Sequence, residues 1–369
     1  MDIDAHRASH HISIDHHTKR RQIELGQSLD GRFPLYLDMN YWIALRKAEM
    51  GLGGEAENEL LKRLRGLAIS GKIFCPISES VFMELMKQQD HQTRLLTAKL
   101  IDELSSGVSL LAFDARVAAE LSHFMHSYMY AADSLHPLRH LVFLKVGYAL
   151  GIVHPVSDVF DEATQLAVQK AFFDKMWSTS LADLIMASRD AMPPEARSFS
   201  DLAVALNAGN AVHAEEVRSF ARAYVAESRG VASVFAELAM DILQDLSLKH
   251  DEAVLVRGSD GWLRQQKMCE NLLFQILQKE QRTKLPSMHV HACLHAAYRW
   301  DKSQKFEAND FYDFQHASAA LAFCRAFFTD HSLRATIVAN HVALDRLYKC
   351  DVIAGTANAI DYLGAISGG

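Results

Sequence analysis

Hydrophobic and polar positions divide the chain into four stretches of different period. Residues 1–30 are polar and histidine-rich, with His6, His10, His11, His16 and His17 ahead of Lys19-Arg20-Arg21. They read as an N-terminal arm, mobile or loosely docked. Residues 31–113 alternate short apolar runs with helical periodicity. Leu35-Tyr36-Leu37-Asp38 predicts a buried strand that ends in an acid, Lys72 to Ile77 a second strand, and Val108 to Phe113 a third. Helices are predicted from Tyr41, over 55–70, from Ser78 or Ser80, and over 93–104, with Gly51, Gly53, Gly54 and Gly71 as breaks.

Residues 114–305 lose nearly all strand signal. Amphipathic helical patterns cover 115–131, 137–150, 161–192, 214–248, 261–281 and 287–300. Breaks fall at His136-Pro137, His154-Pro155, Pro193-Pro194, Gly209, Gly258 and Pro286. In residues 306–369 the alternation of strands and helices returns. It predicts a helix over 306–323, a strand over 325–330 ending in Asp330, a helix over 332–347, a strand over 350–354 and a helix over 356–363. Strands alternating with helices predict an α/β domain with a parallel sheet and helices on its faces. On this reading residues 31–113 and 306–369 form one domain, interrupted by an all-helical insertion over 114–305.

Composition changes the picture little. At 49% hydrophobic and 22% charged residues the chain is an ordinary globular sequence. A net charge of -7 argues against a broad basic face for duplex DNA. Five scattered cysteines without a C-x-x-C predict buried, reduced thiols and a cytoplasmic setting. The first residues lack a signal-peptide layout. The most apolar window, 138–153, is too short and too interrupted by Lys145 to span a bilayer, so it predicts a buried helix and no membrane association.

Acids stand where a sheet crevice would collect them: Asp38 and Asp330 at strand ends, Glu84 near a helix start, and Asp310 and Asp313 three apart on one helical face, continued by His316. Each has a structural alternative, a helix cap for Asp38 and Asp310 above all. Clustered carboxylates repel one another, and a divalent cation such as Mg²⁺ or Mn²⁺ removes that repulsion. His289, His291 and His295 sit at helical spacing, but without an H-E-x-x-H pattern or a cysteine pair they predict ordinary core or surface histidines. The four tryptophans predict core packing before base stacking.

The stretches LYLDMNYWIAL, FCPISESVFMELMK and NDFYDFQHASAALAFCRAFFTDHSL resemble the successive acidic motifs of PIN-like domains, over about residues 33–113 and 305–365. That resemblance implies a three-layer α/β/α fold and a Mg²⁺- or Mn²⁺-dependent ribonuclease. It implies Asp38, Glu84, Asp313 with Asp310 beside it, and Asp330 as metal-holding acids, with Asn40 and Thr329 in support and His316 on the same face. The fourth motif departs from the usual Thr-x-Asp, since Thr329 is followed by Asp330 and His331, and either could fill the acidic place. Two functions are open on this basis. One is an endoribonuclease whose helical insertion selects the RNA, a protein partner or a second copy. The other is an inactive PIN-like scaffold whose helical region binds partners.

Overall fold

The computed structural model describes residues 3–129, 135–188, 199–212, 217–301 and 303–367. Among these, six strands appear: β1 (Phe33–Leu37), β2 (Ile73–Phe74), β3 (Val108–Leu110), β4 (Phe143–Lys145), β5 (Ala326–Thr329) and β6 (Asp351–Ala354). Four form a parallel sheet in the order β2-β1-β5-β6. Leu35, Tyr36 and Leu37 stand opposite Ala326, Phe327 and Phe328. These strands read as continuous apolar runs because nearly every position of β1, β2 and β5 is covered. A single parallel bridge from Ile77 to Ser109 brings β3 alongside the β2 segment. The α/β class and the parallel sheet expected from the sequence are therefore present.

The order of the strands opens the sheet at one place. β1 lies between β2 and β5, so the connections from β1 run one way and those to β5 and β6 the other. In a parallel sheet such a reversal leaves a crevice at the carboxyl ends of the two central strands. Asp38 and Asp330 are the residues that follow those two strands.

Three expectations need correction. The helix expected over 137–150 is instead β4, antiparallel to β3 and flanked by 3-10 turns at Leu138–His140 and Val146–Tyr148. Its run Val142, Phe143 and Leu144 is buried because it closes on β3; an apolar run of that length is ambiguous between strand and helix. The region 114–305 is thus not wholly helical. The arm expected over residues 1–30 holds the helices Ile3–Ala8 and Ile14–Ser28. The second is docked, with His17, Thr18 and Leu25 buried and His17 Nε2 3.0 Å from Asp174 Oδ1. Finally, the sequence pattern over 332–347 is two helices, His331–Val338 and Leu344–Tyr348, parted where Ala343 takes a left-handed φ of 48°.

Other bounds shift less. The pattern over 161–192 is split into Glu162–Ser178 and Leu181–Ala187 by a capping box at Ser180. The pattern over 214–248 is Phe220–Val234 and Ala236–Lys249, and a helix at Phe199–Val212 had no counterpart in the sequence pattern. The Pro193-Pro194 break and the ends of patterns at 130–131, 189–192 and 214–216 lie outside the described residues.

Segments of 114–305 divide between two large cores, with a small third cluster at Val217, Ala223 and Ala296. Phe143, Phe173, Trp177, Leu181, Val290 and Leu294 join the sheet's core. Val117, Leu121, Phe235, Met240, Trp262 and Met288 make a second one. The Phe113–Met129 and Pro286–Trp300 helices run between them, and the first carries a buried charged pair, Arg116 and Glu120. The Glu120 carboxylate accepts from Ser287 N at 3.0 Å and from Ser287 Oγ at 2.6 Å. Arg116 donates to Leu111 O at 2.9 Å and to Ser287 Oγ at 3.1 Å.

Close backbone packing fixes the strand-bearing segment against the helix Glu162–Ser178. A Cβ at Gly147 would overlap the carbonyl of Met176, which is backbone and cannot step aside. Gly147→Ala is therefore expected to cost about 1–3 kcal/mol. A urea titration reads it directly, and an unchanged midpoint would show that the segment is free to move.

Candidate functional site

Each acid reaches the crevice for a local reason. Asp38 leaves β1 in extended geometry (φ -72°, ψ 173°) and caps the helix Met39–Glu49, its Oδ1 accepting from Tyr41 N at 3.2 Å. Its backbone N–H donates to Phe328 O, which ties it to the neighbouring strand. Asp330 leaves β5 in the same way and caps His331–Val338, accepting from Ser332 N at 2.6 Å and Leu333 N at 2.9 Å. The cap and the crevice position are thus one placement, because a strand-to-helix turn puts the cap side chain at the sheet's carboxyl edge.

Asp313 lies in the first turn of the Asp310–Phe323 helix, which packs against β1 and β5. Glu84 comes from the helix Glu79–Lys87 and contacts His316 of the Asp310–Phe323 helix, Oε2 to Nε2 at 2.7 Å. The other His316 nitrogen, Nδ1, is 2.7 Å from Tyr36 Oη, and Tyr36 Oη in turn bonds Ser78 Oγ. This buried chain from Glu84 through His316 to Tyr36 on β1 locks the two helices onto the sheet. Tyr36 and Ser78 carried no signal as site residues; a tyrosine inside an apolar strand reads as core.

The charges act on one another. Burial pushes the Asp38 carboxyl up to about 6, partly countered by His316, by Thr329 and by the Tyr41 N–H, with Asp330 raising it further. Asp313 is pushed up to about 7, first by burial and then by Asp330, Asp38 and Glu84, against the pull of His316. Burial alone would lower His316, but Glu84, Asp38 and Asp313 outweigh it and raise it above its usual value. Asp310 is raised by burial and by Asp330, while Glu307 N at 2.6 Å and Tyr298 Oη at 3.3 Å hold its carboxylate. Thr329 Oγ1, fully buried, lies beside the Asp38 carboxylate and favours its ionised form without a hydrogen bond of full geometry.

Most of the sequence-predicted site is therefore brought together: Asp38, Glu84, Asp313, Asp330, His316 and Thr329, with Asp310 at the margin. Asn40 is not part of it. It is exposed on the outer side of the Met39–Glu49 helix and lines a shallow cleft with Lys47 and Glu57. Of the two residues after Thr329, Asp330 lies within electrostatic reach of Asp38, Asp310 and Asp313, whereas His331 is exposed and lies toward Gly355.

Comparison with protein-family models, curated proteins and solved structures finds no match.

Whether the acids suit a divalent ion can be judged from their donors. The atoms are hard carboxylate oxygens, buried at Asp38 and half-buried at Glu84, Asp313 and Asp330, and mutually repelling, which is the chemistry Mg²⁺ or Mn²⁺ relieves. Their placement is less complete. Glu84 is bonded to His316 and Asp330 to the helix it caps, and among the described residues no three His, Cys, Asp or Glu side chains converge at ligand spacing. Seating an ion would need carboxylate rotamers to turn inward.

The remaining candidates have structural roles. His289 bonds Tyr348 Oη at 2.7 Å and Cys293 Sγ at 3.3 Å, and His295 is buried against Phe314. Trp42, Trp177 and Trp262 are buried. All five cysteines are buried and unpaired. Among the described residues no helix is long and apolar enough to cross a membrane.

Proposed function

We propose that the protein is a Mg²⁺- or Mn²⁺-dependent endoribonuclease of PIN-like, three-layer architecture. The observation that carries this reading is placement: Asp38 and Asp330 leave the carboxyl ends of the two central strands of a parallel sheet, Asp313 lies in the first turn of the helix packed on those strands, and Glu84 is tied to that helix through His316. Metal coupled with in-line water attack on a phosphodiester is the reaction such a carboxylate set serves. Asp38, Asp313 and Asp330 would hold the ion, with Glu84 joining when released from His316. When bound, the ion would supply an activated water and neutralise charge on the phosphate. The chain's own groups do the positioning: His316 orients Glu84, Tyr36 orients His316, and the two cap turns fix the backbones of Asp38 and Asp330. RNA rather than DNA rests on the motif resemblance.

Two observations favour a second reading, a non-catalytic scaffold: the closed Glu84–His316 pair and the absence of a three-ligand set among the described residues. One assay separates them. Single-stranded RNA and DNA of the same sequence are incubated with the protein in Mn²⁺ and in chelator. Cleavage of RNA only, stopped by chelator, is expected. No cleavage and no Mn²⁺ binding would support the scaffold, and cleavage of DNA alone would overturn the choice of substrate.

A further inference from the structure

A cavity of about 630 Å³ opens between the helices Ile14–Ser28, Phe113–Met129 and Ala236–Lys249 and the segment carrying His154. None of the acids described above lines it. Leu111, Ala119 and Ile152 give its lining an apolar part, and lysine and histidine side chains a polar one. Lys19, Lys249, His123, His126, His154 and His250 face it, against the single carboxylate of Asp15. Burial lowers His123 and His154, which keeps them neutral donors, so the charge of the lining is set by Lys19 and Lys249 against Asp15, a local positive excess in a chain of net charge -7.

A second observation points to a ligand. Thr18 lines the same cavity, is only 8% exposed, and its hydroxyl has no hydrogen-bond partner. The Nδ1 atom of His154 is likewise buried and unpartnered. Buried polar groups are normally satisfied, so two orphans on residues lining one cavity call for an acceptor or donor from outside the chain. Phosphate oxygens accept from hydroxyl, imidazole and ammonium groups alike, and lysine binds phosphate as a point charge. The volume falls in the range that encloses a small organic molecule, roughly 300–1,000 Å³.

We propose that this cavity binds a phosphorylated small molecule, its phosphate held by Lys19, Lys249 and Thr18 with His123 and His154 as neutral donors, and its flat or apolar body lying against Leu111, Ala119 and Ile152. The ligand bridges the N-terminal helix to the helical region, so its occupancy clamps the Ile14–Ser28 helix in place. This site is independent of the nuclease reading.

Calorimetric titration of the full chain with adenosine monophosphate, in chelator and at low salt, tests it, with inorganic phosphate as the comparison. Saturable binding of the nucleotide is expected, at least about tenfold tighter than phosphate. Lys19→Gln with Lys249→Gln, both at exposed positions, is expected to weaken it at least about tenfold; Thr18→Val, nearly equal in shape, by a smaller factor. Asp38→Asn is expected to leave it unchanged, which separates this cavity from the acid cluster. The proposal is overturned by no binding, by affinity that ignores the lysine pair while the variant remains folded, by phosphate binding as tightly as the nucleotide, or by loss of binding in Asp38→Asn.

Discussion

Asparagine in place of Asp313 is expected to stabilise the metal-free protein at pH 8 while lowering metal-dependent cleavage by about 100-fold or more. The activity side follows from its place among the acids: loss of a supporting partner of a metal ligand already costs about 10- to 100-fold, and loss of a ligand no less. The stability side follows from its titration. Its carboxyl is pushed from 3.8 up to about 7 by burial and by Asp330, Asp38 and Glu84. The folded state therefore holds a proton that the unfolded chain has released across that window. Stability from this group is fully present below about pH 4 and is lost as pH rises through about 7. A rise of that size corresponds to about 4 kcal/mol, but partial exposure and relaxation reduce this to about 1–2 kcal/mol. Asp38, pushed up to about 6, adds to the trend, and the raised His316 runs in the same direction. Urea midpoints of wild type and Asp313→Asn, measured in chelator from pH 4 to 8, isolate this group by difference. The variant should gain on wild type as pH rises and level off above about 7. Mn²⁺ at pH 8 should raise the wild-type midpoint and hardly move the variant. A variant less stable than wild type at pH 8 would show that like-charge crowding does not govern this crevice.

Arg116→Met is expected to destabilise the fold by about 3–5 kcal/mol, because it strands Glu120 in the interior without its counter-charge. Burial already pushes the Glu120 carboxyl up to about 7, held down only by Ser287 and Arg116. Replacing Glu120 by Gln as well should recover much of the loss, since no uncompensated charge then remains and Ser287 keeps an acceptor. The double-mutant comparison by urea unfolding is decisive: if the double variant is no more stable than Arg116→Met alone, lost packing rather than stranded charge is the cause. The site should respond too. Arg116 reaches Ser318 Oγ at 3.5 Å on the same helix as Asp313 and His316, so the single variant loosens the element that carries them.

The crevice was legible from sequence where local rules and tertiary placement agree. A short apolar strand followed by an acid and a helical pattern gives a cap, and in a parallel sheet a cap at that turn faces the crevice; Asp38 and Asp330 were found this way. Asp313 and His316 followed from three-residue spacing on one helix. Asn40 came from the motif resemblance alone, not from strand or cap chemistry. It sits two residues past Asp38, but it is the second helical residue, and the turn sends it outward. Tyr36 and Ser78 were invisible, because their role depends on His316, 280 residues further along from Tyr36. Arg116 and Glu120, four apart, have the spacing of any solvated helix pair, and only the packing of Pro286–Trp300 across them makes them interior.

By itself the sequence determined the strands that form the parallel sheet, most of the helices around it, and the acids that end its central strands. Those features depend on periodicity and on turn chemistry, which act over a few neighbouring residues. Only the tertiary structure decided that the core of 138–150 is a strand, that the N-terminal segment is a docked helix, and that Asp330 rather than His331 joins Asp38. It alone placed two lysines and four histidines around one cavity. Each of these turns on which surface meets which, and contacts between residues far apart in the chain leave no local period to read.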